Sequence, residues 1–442
     1  MFKRLFEGYT FRVILLVFLA LILLIPLNLI INIVEERADT ANYAELDIMS
    51  SWGGELTMIG PIISLEGVKN EDTISINDKG ERRIDRVRKP FNLIIAPKDL
   101  RIASELKTET RKRGIFSVPL FSGTISLKGS FDPSAALSMI AIAPDEKIND
   151  GVKLVISLND LKGIRKVISA KLGDKELFLQ PSKSNTFSYP AKDIFAFVDT
   201  LPKGETDFEI ILEIQGGRSA HFAPIGQNTH AEIASDWGSP SFQGNFLPAS
   251  STIADDRFSA SWNIHYLSRD IPLAWRQNNA ASMTFFGVNF FRAIDTYALN
   301  TRAVKYAILI LIVPFLTLFL LEIVVKTRVH PVPYMLCGIG NAVFYLLLLS
   351  LSEQIPFFAA YAIAAFAVTA MLALYARSLL SSKREGLFMG VVAAVAYLVL
   401  YALLNAESYA LLIGSIVTFC VIALIMFLTR KLDWYERRSE NQ

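Results

Sequence analysis

Apolar residues fall along this chain in two rhythms. Val13 to Val34 is an uncharged apolar stretch, and the last third holds five more spans: Tyr306 to Val325, Pro331 to Ser352, Ile355 to Ala376, Gly386 to Leu404 and Tyr409 to Thr429. A bilayer core of about 30 Å takes about 20 apolar residues in a helix, so all six are long enough to cross it. Between the first and second spans the period drops to two. Phe208, Ile210, Leu212 and Ile214 alternate with Glu209, Glu213 and Gln215; Phe258, Ala260, Trp262 and Ile264 alternate with Ser259, Ser261, Asn263 and His265. Val152, Leu154, Ile156 and Leu158 follow the same rule. Such alternation predicts strands with one face in a core.

Turn signals punctuate these strands. Gly216-Gly217 reads as a hairpin turn, and Gly173-Asp174 as another, joining Ile168-Ala170-Leu172 to Leu177-Leu179. Glu35 to Met49 extends the first apolar helix until Gly53-Gly54 ends it, and Pro97 to Arg113 reads as a short helix or a long loop. The expected fold is an α+β membrane protein with six transmembrane helices, one N-terminal and five C-terminal, and a large antiparallel, sandwich-like β-rich domain. Its segments are an N-terminus (1–12), an anchor helix (13–34), the β-rich domain (35–302), a five-helix bundle (303–430) and a tail (431–442).

Charge orients this arrangement. With the N-terminus inside, Lys3, Arg4, Arg12, Lys326, Arg328, Arg377, Lys383, Arg384, Arg430, Lys431, Arg437 and Arg438 all lie on the cytoplasmic side. The short outer turns Glu353-Gln354 and Asn405-Ala406-Glu407 carry no cation. Cytoplasmic loops collect Lys and Arg, so both termini are expected inside and the β-rich domain outside. The anchor is expected to stay uncleaved, because its apolar run exceeds the roughly 7–15 residues of a signal peptide and ends in Glu35-Glu36-Arg37 without a small-residue cleavage site.

Composition agrees. Hydrophobic residues make up 52% and charged residues 19% of the chain, against about 25% charged in a soluble domain. Residues 35–302 carry 31 Lys/Arg and 34 Asp/Glu, so the overall charge of +2 arises beside the apolar spans and no nucleic-acid footprint is expected. The two cysteines, Cys337 and Cys420, both lie in apolar spans, leaving the outer domain to be stabilised by its core.

Candidate chemistry is sparse. No nucleophile elbow, phosphate-binding glycine loop or His-Glu-x-x-His motif occurs; His221, His230, His265 and His330 are scattered. No catalytic, metal or cofactor-binding residue is assigned. Arg82, Arg83, Arg86, Arg88 and Lys89, and later Arg111-Lys112-Arg113, read as a solvated face or as a surface for anionic lipid. Intramembrane polar candidates are Glu322, Asn341 and Glu353. Glu322 lies four residues before Lys326, an ion-pair spacing, Glu353 sits at the outer rim, and Asn28, Asn341 and Asn405 suit contacts between helices. Arg292, Asp295, Arg302 and Lys305 would share one helical face, a candidate for coupling the outer domain to the bundle or for meeting lipid headgroups.

Several blocks carry a family resemblance. They are Glu36-Arg37-Ala38, Gly60-Pro61, Arg113-Gly-Ile-Phe-Ser-Val-Pro119, Ser235-Asp-Trp-Gly-Ser-Pro-Ser-Phe-Gln-Gly-Asn-Phe-Leu-Pro248, Ala260-Ser261-Trp262, Asp295-Thr296-Tyr297, Thr301-Arg-Ala-Val-Lys-Tyr-Ala307, His330-Pro331 and Phe344 to Glu353. Together they resemble the CreD family of bacterial inner-membrane proteins over nearly the whole chain. The sequence departs from the family pattern at Ala293-Ile294-Asp295, where Pro-Val-Asp is expected, and at Gln354, where His is expected after Glu.

The resemblance implies a Gram-negative inner membrane, a periplasmic outer domain and a role in cell-envelope integrity and stress response; it supplies no catalytic residues. Trp237, Pro240, Phe242, Gly244, Phe246 and Pro248 lie in a block read as a shaped loop, either a periplasmic partner surface or a structural clasp. The expected function is non-enzymatic support of the envelope, with the lipid bilayer and an unidentified envelope protein or lipid as partners. The alternatives are a transporter or lipid-handling subunit, which would need a cavity lined by Glu322, Asn341 or Asn405, and a membrane sensor acting with a partner chain.

Overall fold

In a computed structural model, the residues described are 9–76, 82–140, 142–183, 185–187, 190–269, 271–277, 283–290, 296–325, 327, 329–406 and 410–429. The chain divides into two units: Tyr43–Ala293, and a helical unit of Met1–Asn42 with Ile294–Gln442.

The described strands of Tyr43–Ala293 form one sheet of nine strands and one of eight. The first runs through Pro240–Gly244, Phe286–Phe290, Ser219–Phe222, Leu56–Ile76, Glu146–Leu158, Lys192–Val198 and Gln180–Pro181. Arg82–Ile95 pairs with Leu56–Ile76 and also carries Ala274–Arg276. The second runs Ser250–Ala254, Arg257–His265, Asn228–Ser235, Asp99–Arg113, Phe116–Phe131, Thr206–Gly217, Ile164–Leu172 and Lys175–Glu176. Inward side chains of both sheets, among them Ile62, Leu100, Leu154, Ile210, Phe222 and Trp262, belong to one continuous core, which is the sandwich expected from the alternation.

Four details depart from the sequence reading. The sheets are not wholly antiparallel: Leu56–Met58 pairs parallel to Ala220–Phe222, and Asn228–Ser235 parallel to Asp99–Leu106. These partners are far apart in sequence, so no tight turn imposes antiparallel pairing. Pro97 to Arg113 is neither helix nor loop; Asp99–Arg113 is an interior strand that buries Leu100, Ile102, Ser104 and Leu106 in alternation.

Gly216-Gly217 is not a hairpin turn either. Both residues continue their strand opposite Phe121 and Leu120, and a Cβ at Gly216 would lie 2.7 Å from the Phe121 ring. These glycines admit close neighbours, and the chain turns one residue later, at Arg218 with φ of 64°, to join the other sheet. Finally, Pro240–Gly244 within the predicted loop is an edge strand paired with Phe286–Phe290. The Gly173-Asp174 hairpin forms as expected, pairing Leu172 with Lys175 and Lys171 with Glu176.

The helix predicted to continue beyond the anchor does so: it spans Tyr9–Trp52 and ends at Gly53 and Gly54, both with positive φ, where the Gly54 N–H bonds the Met49 carbonyl. The other described helices of the helical unit are Thr296–Lys305, Ala307–Val325, Pro331–Ser352, Phe357–Leu379, Lys383–Asn405 and Ala410–Thr429. Four described helices are long and apolar enough to cross a membrane, and five if the pair Thr296–Lys305 and Ile310–Val325, bent by 41°, counts as one span. Phe357–Leu379 buries Ala360, Ala364, Val368, Leu372 and Ala376, a stripe at every fourth residue made mostly of small side chains. Small residues on such a stripe let helices approach closely where lipid supplies no hydrophobic drive.

Candidate functional site

The helical unit brings three of the sequence blocks together. Arg37 lies on the Tyr9–Trp52 helix three residues after Val34, and Glu353 caps the C-terminus of Pro331–Ser352. The guanidinium grips the carboxylate with both arms, Nε donating to Oε1 at 2.8 Å and Nη2 to Oε2 at 2.9 Å. Tyr297, from Thr296–Lys305, donates its hydroxyl to Oε1 at 3.1 Å. One helix turn on, the Asn300 amide donates to Ser352 Oγ at 2.9 Å and to the Thr296 carbonyl at 2.8 Å. The Glu353 side chain is only 11% exposed, against 37% for Arg37. A carboxylate at the negative end of a helix dipole needs a cation, and the planar fork of Arg37 supplies one in fixed geometry.

A second polar group lies inside the bundle. Asn341 donates to the Ile310 carbonyl at 2.9 Å and accepts from the Tyr397 hydroxyl; Tyr361 donates to the Tyr397 carbonyl at 2.6 Å. The Phe344 ring packs on Tyr397 and Tyr361, with centroids 4.5 and 5.4 Å apart. Glu322 is buried and accepts from the Tyr334 hydroxyl at 2.8 Å. Its predicted partner Lys326 lies outside the described residues. Asn405 is exposed and donates to the Tyr401 carbonyl. Glu322 and Asn341 thus both bond across the pair Ala307–Val325 and Pro331–Ser352, and Asn341 also reaches Lys383–Asn405, the bonding expected of polar groups that hold a bundle together.

Of the candidate coupling face, Arg302 and Lys305 lie on Thr296–Lys305, while Arg292 and Asp295 lie outside the described residues.

The Trp237–Pro248 segment packs Trp237, Phe242 and Phe246 against the sandwich core. Phe242 meets Phe258 and Trp262 edge-on at 5.9 and 5.8 Å, and Trp237 meets Phe290 at 6.3 Å. The buried Trp262 donates its indole N–H to the Phe246 carbonyl at 3.1 Å. Pro240 and Pro248 are half-buried, Gly244 is exposed, and Leu247 is 76% exposed.

Other candidates resolve into local roles. Arg86 pairs with Asp72, Lys89 with Glu71 and Arg113 with Asp47, while Arg111 stacks over Trp52 at 3.7 Å. His265 and His330 each accept a backbone N–H two residues on, and burial holds the His221 imidazole below its ordinary value. Among the described residues no three His, Cys, Asp or Glu converge as metal ligands. Arg37, Tyr297, Asn300, Tyr361 and Tyr397 join these networks with no spacing signal to mark them as polar partners, although Arg37 and Tyr297 stand in the motif blocks.

The family model described as inner membrane protein CreD matches residues 8–435. Inner membrane protein CreD of Escherichia coli (strain K12) is 29% identical over 423 residues, covering 94% of this chain and 91% of that protein. An M1 zinc metallopeptidase from Deinococcus radiodurans superposes with a TM-score of 0.23 and 9% identity, over 45% of this chain and 42% of that one. A mutant M1 zinc metallopeptidase of the same organism, bound to a Tyr-Ser-Ala substrate, gives 0.23 and 10%, over 77% and 92%. Likenesses this slight carry no argument about fold or activity.

Proposed function

We propose, from the premise that this chain belongs to the CreD family of inner membrane proteins, that it supports cell-envelope integrity by a non-enzymatic route. Its β-rich unit engages an envelope component in the periplasm, and six helices hold it in the membrane with both termini in the cytoplasm. The observation that carries this reading is the placement of a two-sheet unit, Tyr43–Ala293, in the chain between an apolar anchor helix and a run of apolar helices. The cation asymmetry of the short connections supports the orientation. The Arg37–Glu353–Tyr297 cluster, at the end of the Pro331–Ser352 helix that this orientation puts outside, would fix the anchor against the bundle.

A deletion strain tests the role. Without the gene, sensitivity to detergents and cell-wall antibiotics is expected to rise under inducing conditions, and a chain with residues 54–290 replaced by a short linker is expected not to restore resistance. Unchanged sensitivity in the deletion strain, or full rescue by the shortened chain, would contradict the proposal.

A further inference from the structure

The solvent face of the eight-stranded sheet carries a cleft of about 430 Å³ whose polar lining is set by strand register. Asp99 lies opposite Asn228, which lies opposite His265; one step along, Arg101 lies opposite His230, which lies opposite Asn263. Side chains directly opposite on one face are neighbours, so three strands present two rows of three polar groups. Part of this grid is already fixed. Asn228 donates to Asp99 Oδ1 at 3.1 Å, and His230 meets the Asn263 carbonyl oxygen through Nδ1 at 2.6 Å and Glu232 through Nε2 at 3.2 Å. The outer atom of the Asn263 amide, the second Asp99 oxygen and the Arg101 guanidinium have no hydrogen-bond partner among the described residues.

We propose that this cleft is a binding site for an uncharged saccharide chain of the cell envelope. The free groups mix donors and an acceptor, as hydroxyls that both donate and accept require. Asp99 and Glu232 flank Arg101 and His230, so the site lacks the single-sign field that would recruit an anion. Asp99–Arg113 and Asn228–Ser235 have both edges paired here, which leaves recognition to side chains and excludes capture of a peptide as an added strand on them. This deepens the envelope-engagement reading by naming a ligand class, and rests on it only for where the ligand is met.

Isothermal titration of the purified full chain in nanodiscs with chitotetraose and maltotetraose tests it. At least one sugar is expected to bind saturably, and Asn263→Ala and Asp99→Asn are each expected to weaken it about tenfold, as loss of a hydrogen bond to a charged or fixed partner does. Lys107→Ala, on the same strand face beyond the cleft, is expected to leave affinity unchanged. All three side chains are solvent-facing, and an unchanged melting temperature checks that each variant folds. Neither sugar binding at millimolar concentration, or binding indifferent to both cleft variants, would overturn the site. Because the titration uses purified protein, its failure is separate from that of the deletion phenotype.

Discussion

At the scale of single residues, the telling contacts are those that composition and spacing do not announce. Arg37 and Glu353 are 316 residues apart, and each alone reads as a rim charge beside an apolar span. No local pattern pairs them; only the packing of three helices does. Because the pair is bidentate and Glu353 is largely covered, its coupling is expected to exceed the roughly 0.5 kcal/mol of exposed pairs and reach about 1–2 kcal/mol. A double-mutant cycle of Arg37→Ala and Glu353→Ala, read by thermal unfolding in detergent, measures it. Additive losses would show that the two do not act together.

A second residue-scale expectation concerns acid stability. The Arg276 guanidinium, helped by the Ala143 N–H, draws the Glu146 carboxyl from 4.5 down to about 2. The folded carboxylate therefore binds fewer protons than the unfolded one between those values. Its contribution is complete above pH 4.5 and is lost as pH falls towards 2. Glu146→Gln is expected to flatten that part of the stability–pH curve, and an unchanged slope would place the acid sensitivity elsewhere.

At the scale of elements, strands with clean apolar–polar alternation were legible, and so was the helix running on to Gly53-Gly54. Asp99–Arg113 was obscured because its third buried position is Ser104 and its outer half is charged. Gly216-Gly217 misled because a glycine pair signals a tight turn and a close approach equally well; only Phe121 and Leu120 across the strand tell which. The Trp237–Pro248 block hid a strand because Pro, Gly and Ser dominate it, yet an edge strand tolerates Pro at its first residue. If this block acts as a clasp, its inward contacts govern stability. Trp262→Ala is expected to cost about 3–5 kcal/mol, while Leu247→Ala, exposed on the same block, changes stability by less than about 0.5 kcal/mol. Chemical denaturation of the full chain compares them. Equal effects would mean that the indole and the Phe246 carbonyl do not hold the segment.

At the scale of the whole molecule, the division into an apolar helical unit and a β-rich unit was legible because a spanning helix needs an unbroken apolar run, whereas a half-buried strand needs alternation. The parallel pairings and the saccharide cleft were not, since both depend on strands brought together from distant parts of the chain. On the proposed topology, Tyr43–Ala293 faces the periplasm while both ends of the chain stay in the cytoplasm. The most direct measurement is thiol labelling of intact cells with a small membrane-impermeant maleimide, using a chain in which Cys337 and Cys420 are replaced by Ala. Ser251→Cys lies on an exposed edge strand, and Glu440→Cys lies in the tail. Labelling is expected at position 251 in intact cells and at position 440 only after lysis. Labelling of 440 in intact cells, or protection of 251 until lysis, would overturn this topology.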